Sequence, residues 1–107
     1  MSEYPFDPLT TAVLIVDLQN DFLNSKGAYG RSGTSNPDIA ALPAKVSPLL
    51  DEVRKAGGWI VSTQFTLVPG KNGEPFISAH LKKLRPFLTN GDFMPSSWGH
   101  SLVDELQ

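Results

Sequence analysis

At 107 residues the chain has room for one small domain, and its 40% apolar and 19% charged composition is that of a globular protein. A net charge of -2 with scattered Lys and Arg lacks the basic footprint of a nucleic-acid binder, and no apolar run approaches the ~18 residues of a membrane span. The absence of cysteine excludes disulfides and thiol chemistry from these residues.

The start, Met1-Ser2-Glu3-Tyr4-Pro5, is acidic and polar, unlike a secretory leader, so a cytoplasmic protein is expected. Residues 1–10 read as an irregular lead-in, with Pro5 and Pro8 breaking any helix. Ala12-Val13-Leu14-Ile15-Val16 is a short apolar run rich in β-branched residues, which predicts a strand buried on both faces. It stops at Asp17. Residues 24–36 carry Gly27, Gly30 and Gly33 among Ser, Thr and Asn and predict a long loop, a type of segment often functional in compact domains.

Asn36 is a capping residue and Pro37 suits a first helical position. Ile39, Leu42, Val46, Leu49, Leu50 and Val53 then share one helical face. This predicts a helix over residues 45–56, extended upstream with a kink near Pro43, and ended by Gly57-Gly58. Residues 59–65 predict a second strand. Strand, helix, strand is a βαβ unit, so the strands are expected to be parallel. Residues 68–75 predict a loop, residues 78–84 a short helix, residues 86–95 irregular chain, and residues 97–106 a short helix capped by Ser96 or Ser97. Two parallel strands make too small a sheet. The α/β pattern calls for another strand after Gln107, so the architecture is expected to be completed by sequence outside this chain.

Asp17 is the sharpest chemical position, because open parallel sheets gather ligands at the carboxyl ends of their strands. It is read either as a general base or as a turn-capping carboxylate. Asp21, four residues on, is either a second carboxylate for Mg²⁺ or acid/base work, or a brace of the turn. An aspartyl-phosphate phosphatase would need a carboxylate at position 19, where Gln19 stands. The glycines at 27, 30 and 33 match neither the dinucleotide nor the P-loop pattern. His80 and His100 form no close pair, and no metal site is expected from this chain. Phe93 and Trp98 are read as packing anchors or pocket walls, and no serine sits in a Gly-x-Ser-x-Gly turn.

The run from Ala12 to Leu23, with Asp17-Leu18-Gln19-Asn20-Asp21-Phe22 at its centre, resembles the opening signature of the isochorismatase-like cysteine hydrolases. That superfamily includes isochorismatases, nicotinamidases, and carbamoylsarcosine and ureidoacrylate amidohydrolases. The remaining order agrees: a helix ending in a basic residue and Gly57-Gly58, a strand ending at Thr63-Gln64, then Ser97-Trp98-Gly99 and Leu102 to Leu106. The resemblance spans nearly all 107 residues but only about the first half of a family member, so residues 1–107 are expected to be the N-terminal part of one domain.

The resemblance implies an α/β fold, a three-layer Rossmann-like parallel sheet between helices, usually in a homo-oligomer. It implies a hydrolase of small amides, ureides or vinyl ethers, and no cofactor is expected. Asp17 would take the proton of a cysteine thiol, and the thiolate, favoured by a lysine, would attack the carbonyl. Isochorismatases proper instead cleave a vinyl ether with the Asp as acid. Phe22, Gln64 and Gln19 are the substrate-binding candidates, with packing as the competing reading for Phe22. The family Lys and Cys fall beyond Gln107, since Lys82 and Lys83 precede the Trp98-Gly99 segment. The remainder of the domain or a second subunit is therefore the expected partner, and the chain alone is expected to be inactive. Where metal-dependent nicotinamidases carry Asp-x-His, this chain reads Phe65-Thr66-Leu67. The alternative reading is a non-catalytic α/β module that binds a ligand or a partner.

Overall fold

A computed structural model describes residues 7–71 and 74–107. The expected lead-in lies in part outside the described residues. Its described end is a 3-10 turn, Pro8–Thr10, capped by the Asp7 carboxylate on the Leu9 N–H. Asn72 and Gly73 of the predicted 68–75 loop also lie outside them.

Two strands, β1 (Ala12–Val16) and β2 (Trp59–Thr63), pair in parallel, with Val16 opposite Thr63 at their carboxyl ends. The second strand is two residues shorter than the predicted 59–65. Between them run two one-turn helices, α1 (Asn20–Leu23) and α2 (Ala28–Arg31), and the crossover pair α3 (Pro37–Ala40) and α4 (Leu42–Lys55). Asn36 caps α3 as expected, its side-chain oxygen accepting from the Asp38 and Ile39 N–H groups. The long helix starts at Leu42, upstream of residue 45, because Pro43 falls in its first turn, where no N–H partner is needed. Pro48 lies inside it. Gly57 then enters the left-handed region (φ 78°), and the N–H groups of Gly57 and Gly58 close back on Arg54 and Val53. A fifth helix, α5 (Ala79–Leu84), is capped by Ser78.

Residues 97–106 do not form the expected helix. Gly99 and Ser101 accept from the N–H groups of Asp21 and Asn20, Val103 N–H donates to Leu18, and Leu102 bridges Gln19 in antiparallel sense. The segment spends its backbone on the β1–α1 turn, and only Asp104–Leu106 closes, as a 3-10 turn.

One side of the sheet is covered. Ile15, Leu18, Leu23, Leu50, Val103 and Leu106 form a buried cluster, with Val13 and Ile60 packed against it. Ala28, Leu67, Leu88 and Phe93 form a second cluster, and Phe22 packs against both. The expectation of a strand dry on both faces is corrected here. Leu14 and Val16 are 58% and 56% exposed, and Trp59 and Val61 on the paired strand are 64% and 46% exposed. These residues alternate with the buried ones and share the opposite face, which nothing among the described residues covers. Parallel sheets are ordinarily covered on both faces.

Candidate active site

The site grows from the exit of β1. Asp17 follows Val16 directly, and its backbone turns into the left-handed region (φ 58°). Aspartate is among the few non-glycine residues that accept this conformation at modest cost. Neighbouring β2 holds the turn. The Asp17 N–H faces the Thr63 carbonyl at 3.3 Å and the Thr63 hydroxyl oxygen at 3.2 Å. That hydroxyl donates in turn to Asp17 Oδ1 at 2.7 Å. The carboxylate is thus fixed at the carboxyl ends of both strands, with Oδ2 bonded to no described residue.

Asp17 opens on a cavity of about 360 Å³. Phe22 and Tyr29 supply its aromatic wall, Thr34, Ser35, Asn36 and Ile39 its far side, and Arg85 enters from the end of α5. Its size and its largely apolar walls with a few polar groups suit a small ligand. Of the residues singled out in the sequence, Asp17 and Phe22 meet here. Phe22 is also a packing residue, with ring centroids 4.5 Å from Phe93 and 4.9 Å from Tyr29.

The two glutamines stand outside this wall. Gln19 is fully buried. Its amide nitrogen donates to the carbonyls of Phe65 (2.9 Å) and His100 (2.8 Å), and its oxygen accepts the Phe65 N–H (2.7 Å). It joins the β1 exit, the β2 exit and the 98–101 segment. Gln64 is exposed and turns to His100, donating to its carbonyl at 2.9 Å. The same Gln64 nitrogen lies 3.3 Å from His100 Nδ1, and Thr66 Oγ1 lies 2.8 Å from the other end of the imidazole, at Nε2.

Asp21 takes the bracing role. Its two oxygens accept the N–H groups of Ala28 (2.9 Å) and Phe93 (2.8 Å), and it is buried. Asn20, also buried, donates to the Trp98 carbonyl. Among the described residues no group of three or more His, Cys, Asp or Glu side chains is placed to hold a metal ion. No helix among them is long and apolar enough to cross a membrane.

Thr63, Tyr29 and Arg85 escaped the sequence reading. Thr63 was within reach, since parallel pairing of the two runs puts it beside Val16. Tyr29 and Arg85 carry no such signal, because the 24–36 loop and the Lys82-Lys83-Leu84-Arg85 run show no spacing that says which side chain turns inward.

Comparison with known proteins decides the family. The model of the isochorismatase domain matches residues 11–107. The chain belongs to the isochorismatase family. Among curated relatives, the ureidoacrylate amidohydrolase RutB of Caulobacter segnis is 30% identical over 112 aligned residues, covering 96% of this chain and 47% of the relative. RutB of Caulobacter vibrioides is 29% identical over 111 residues, covering 95% of this chain and 49% of the relative. The chain therefore spans about half the length of the curated relatives it matches.

Proposed function

We propose that the chain is the Asp17-bearing N-terminal part of a hydrolase acting on a small amide, ureide or vinyl-ether substrate, with an amide or ureide favoured. The observation that carries this reading is the carboxylate at the β1 exit. It is held by Thr63, has one oxygen without a partner among the described residues, and faces a ligand-sized cavity in a chain of the isochorismatase family. The relatives named as ureidoacrylate amidohydrolases support the amide or ureide class.

In this reading Asp17 takes the proton of a cysteine thiol supplied by sequence outside the chain. The thiolate adds to the substrate carbonyl, the C–N bond breaks, and the leaving nitrogen departs with the proton. Water then cleaves the resulting thioester and regenerates the thiol. A lysine, also from outside, favours both anions. Gln19 keeps the β1 and β2 exits in register and so acts by positioning, while Gln64 is engaged with His100 outside the cavity wall. The bare sheet face carrying Leu14, Val16, Trp59 and Val61 is where the remainder of the domain, or a second subunit, would pack. A cytoplasmic homo-oligomer is part of the same proposal.

Asp17→Asn in the assembled protein is the direct test. Asparagine tolerates the left-handed backbone about as well as aspartate, so the fold survives and only proton transfer is lost. Ammonia release from ureidoacrylate is expected to fall to background. Unchanged turnover rejects Asp17 as the acid/base. No turnover in the wild-type protein, with ligand binding retained, favours the non-catalytic module.

A further inference from the structure

The cavity beside Asp17 is lined by one cation, Arg85, which pairs with no acidic side chain among the described residues. Arg85 is half-buried at the carboxyl end of α5 and lines the cavity wall. Its Nε donates to the Tyr29 hydroxyl at 3.1 Å, its Nη1 to the Leu84 carbonyl at 3.1 Å, and its guanidinium carbon stands 5.6 Å from the Tyr29 ring centroid. A guanidinium carries five N–H donors in a planar fork, so the remaining donors have no protein partner among the described residues. The ion pairs among the described residues form without it: Arg31 with Asp92, Arg54 with Asp51, Lys55 with Glu52, and Lys82 with Glu74. Asp17 shares the cavity but forms no ion pair with Arg85, and its Oδ1 is committed to Thr63.

A partly buried charge is ordinarily paired, because desolvation without a partner is costly. Tyr29 fixes where this one stands. Its hydroxyl takes Nε and its ring lies against the cation, so the fork is pre-oriented rather than free to swing into solvent. A planar fork with open donors matches a carboxylate in two-point geometry. Asp17, the group that would receive the proton, lines the same cavity.

We propose that Arg85 is the substrate anchor of this cavity, selecting small ureido or amido acids by their carboxylate while the scissile carbonyl lies toward Asp17. This deepens the hydrolase reading above and rests on it for the reaction, though not for binding. Neutral amides of the same size lose the anchor and are poor ligands. The role is one of specificity, since Arg85 meets the far end of the substrate and not the bond that breaks.

The test is titration of the purified, assembled protein with N-carbamoyl-β-alanine and with its neutral methyl ester, at fixed ionic strength, with ammonia release followed in the same samples. The wild type is expected to bind the acid at least about 10-fold more tightly than the ester, the scale of one charge-assisted contact. Arg85→Met keeps the apolar stem against Tyr29 and is expected to bring the ratio near one while leaving ester affinity within about twofold. Arg85→Lys keeps the charge without the fork and is expected to retain part of the preference. Equal affinity for acid and ester in the wild type overturns the proposal without any variant. So does failure to bind either, or a ratio unchanged in Arg85→Met. Acid preference without ammonia release keeps the anchor and rejects the hydrolase. Ammonia release without acid preference does the reverse.

Discussion

Thr63 and Asp17 hold each other at the ends of two adjacent strands. The threonine hydroxyl donates to Asp17 Oδ1 at 2.7 Å, while the Asp17 N–H points back at the threonine carbonyl and hydroxyl oxygens. The pairing of Val16 with Thr63 makes this contact unavoidable once the strands are in register. The hydroxyl fixes the carboxylate's orientation without neutralising it, as a proton acceptor requires.

Thr63→Val removes the hydroxyl and keeps the β-branched shape a strand favours. Because the group is exposed, its net contribution to stability is on the order of 1 kcal/mol or less. If Asp17 is the acid/base, as proposed, turnover of the assembled protein depends on where the carboxylate points, so kcat is expected to fall about tenfold with KM and Tm nearly unchanged, a loss of about 1.4 kcal/mol in transition-state stabilisation. Thr63→Ser restores most of it. Steady-state kinetics beside thermal unfolding separates the cases, and an unchanged kcat in the valine variant removes Thr63 from the site.

Gln19 makes a contrasting prediction. Replacing it by alanine removes the acceptor of the half-buried Phe65 N–H and the donors to the Phe65 and His100 carbonyls. Each unsatisfied buried group costs about 1–3 kcal/mol. Gln19→Ala is therefore expected to cost about 3 kcal/mol or more. Gln64→Ala, at an exposed site, should stay within about 0.5 kcal/mol of wild type. Urea midpoints compare the two directly, and equal small effects would reject Gln19 as the brace.

The sequence announced the elements whose patterns are local and was silent where the backbone is spent at a distance. β1 and the body of α4 follow from an apolar run and a helical stripe, and Asp17 stands where the apolar run ends. The 97–106 segment misled because Leu102, Val103 and Leu106 have helical spacing. The structure gives its polar groups to Leu18, Gln19, Asn20 and Asp21 instead, contacts some 80 positions away in sequence. The pair Gln19 and Gln64 illustrates the same limit. Both sit near strand ends and read alike as polar pocket residues, yet tertiary hydrogen bonds turn one inward and the other toward His100. Arg85 gave no signal for the opposite reason, since its proposed role rests on guanidinium donors that meet no protein acceptor among the described residues.

Gly99 lies against the Asp21 carboxylate so closely that a Cβ at residue 99 would collide with its oxygens. Those oxygens are already the acceptors for Ala28 and Phe93. The carboxylate has no room to withdraw without breaking one of these bonds. Gly99→Ala is expected to destabilise the protein by about 3 kcal/mol, combining overpacking with a lost buried hydrogen bond. Asp21→Ala should cost a similar amount by stranding both N–H groups. Because Asp21→Ala also removes the obstacle, the double variant is expected to cost clearly less than the sum of the singles. Strict additivity in denaturant titrations would show that the two residues do not share this space.

The bare sheet face gives the last prediction. Leu14 and Val61 are paired neighbours, 58% and 46% exposed, while Ile15 beside them is 4% exposed. A charge at Ile15 enters the buried cluster around Leu50 and is expected to unfold the protein in any setting. A charge at Leu14 is informative because its cost depends on what covers it. If the remainder of the domain or a second subunit packs on this face, Leu14→Glu in the assembled protein costs at least about 2 kcal/mol, the scale of burying a leucine side chain plus an unpaired carboxylate. If the face stays in water, the same substitution is worth no more than about 0.5 kcal/mol. Unfolding midpoints of Leu14→Glu and Val61→Glu in the assembled protein decide between these. Wild-type values in both variants would sink the proposal that this face is the seam along which the active site is completed.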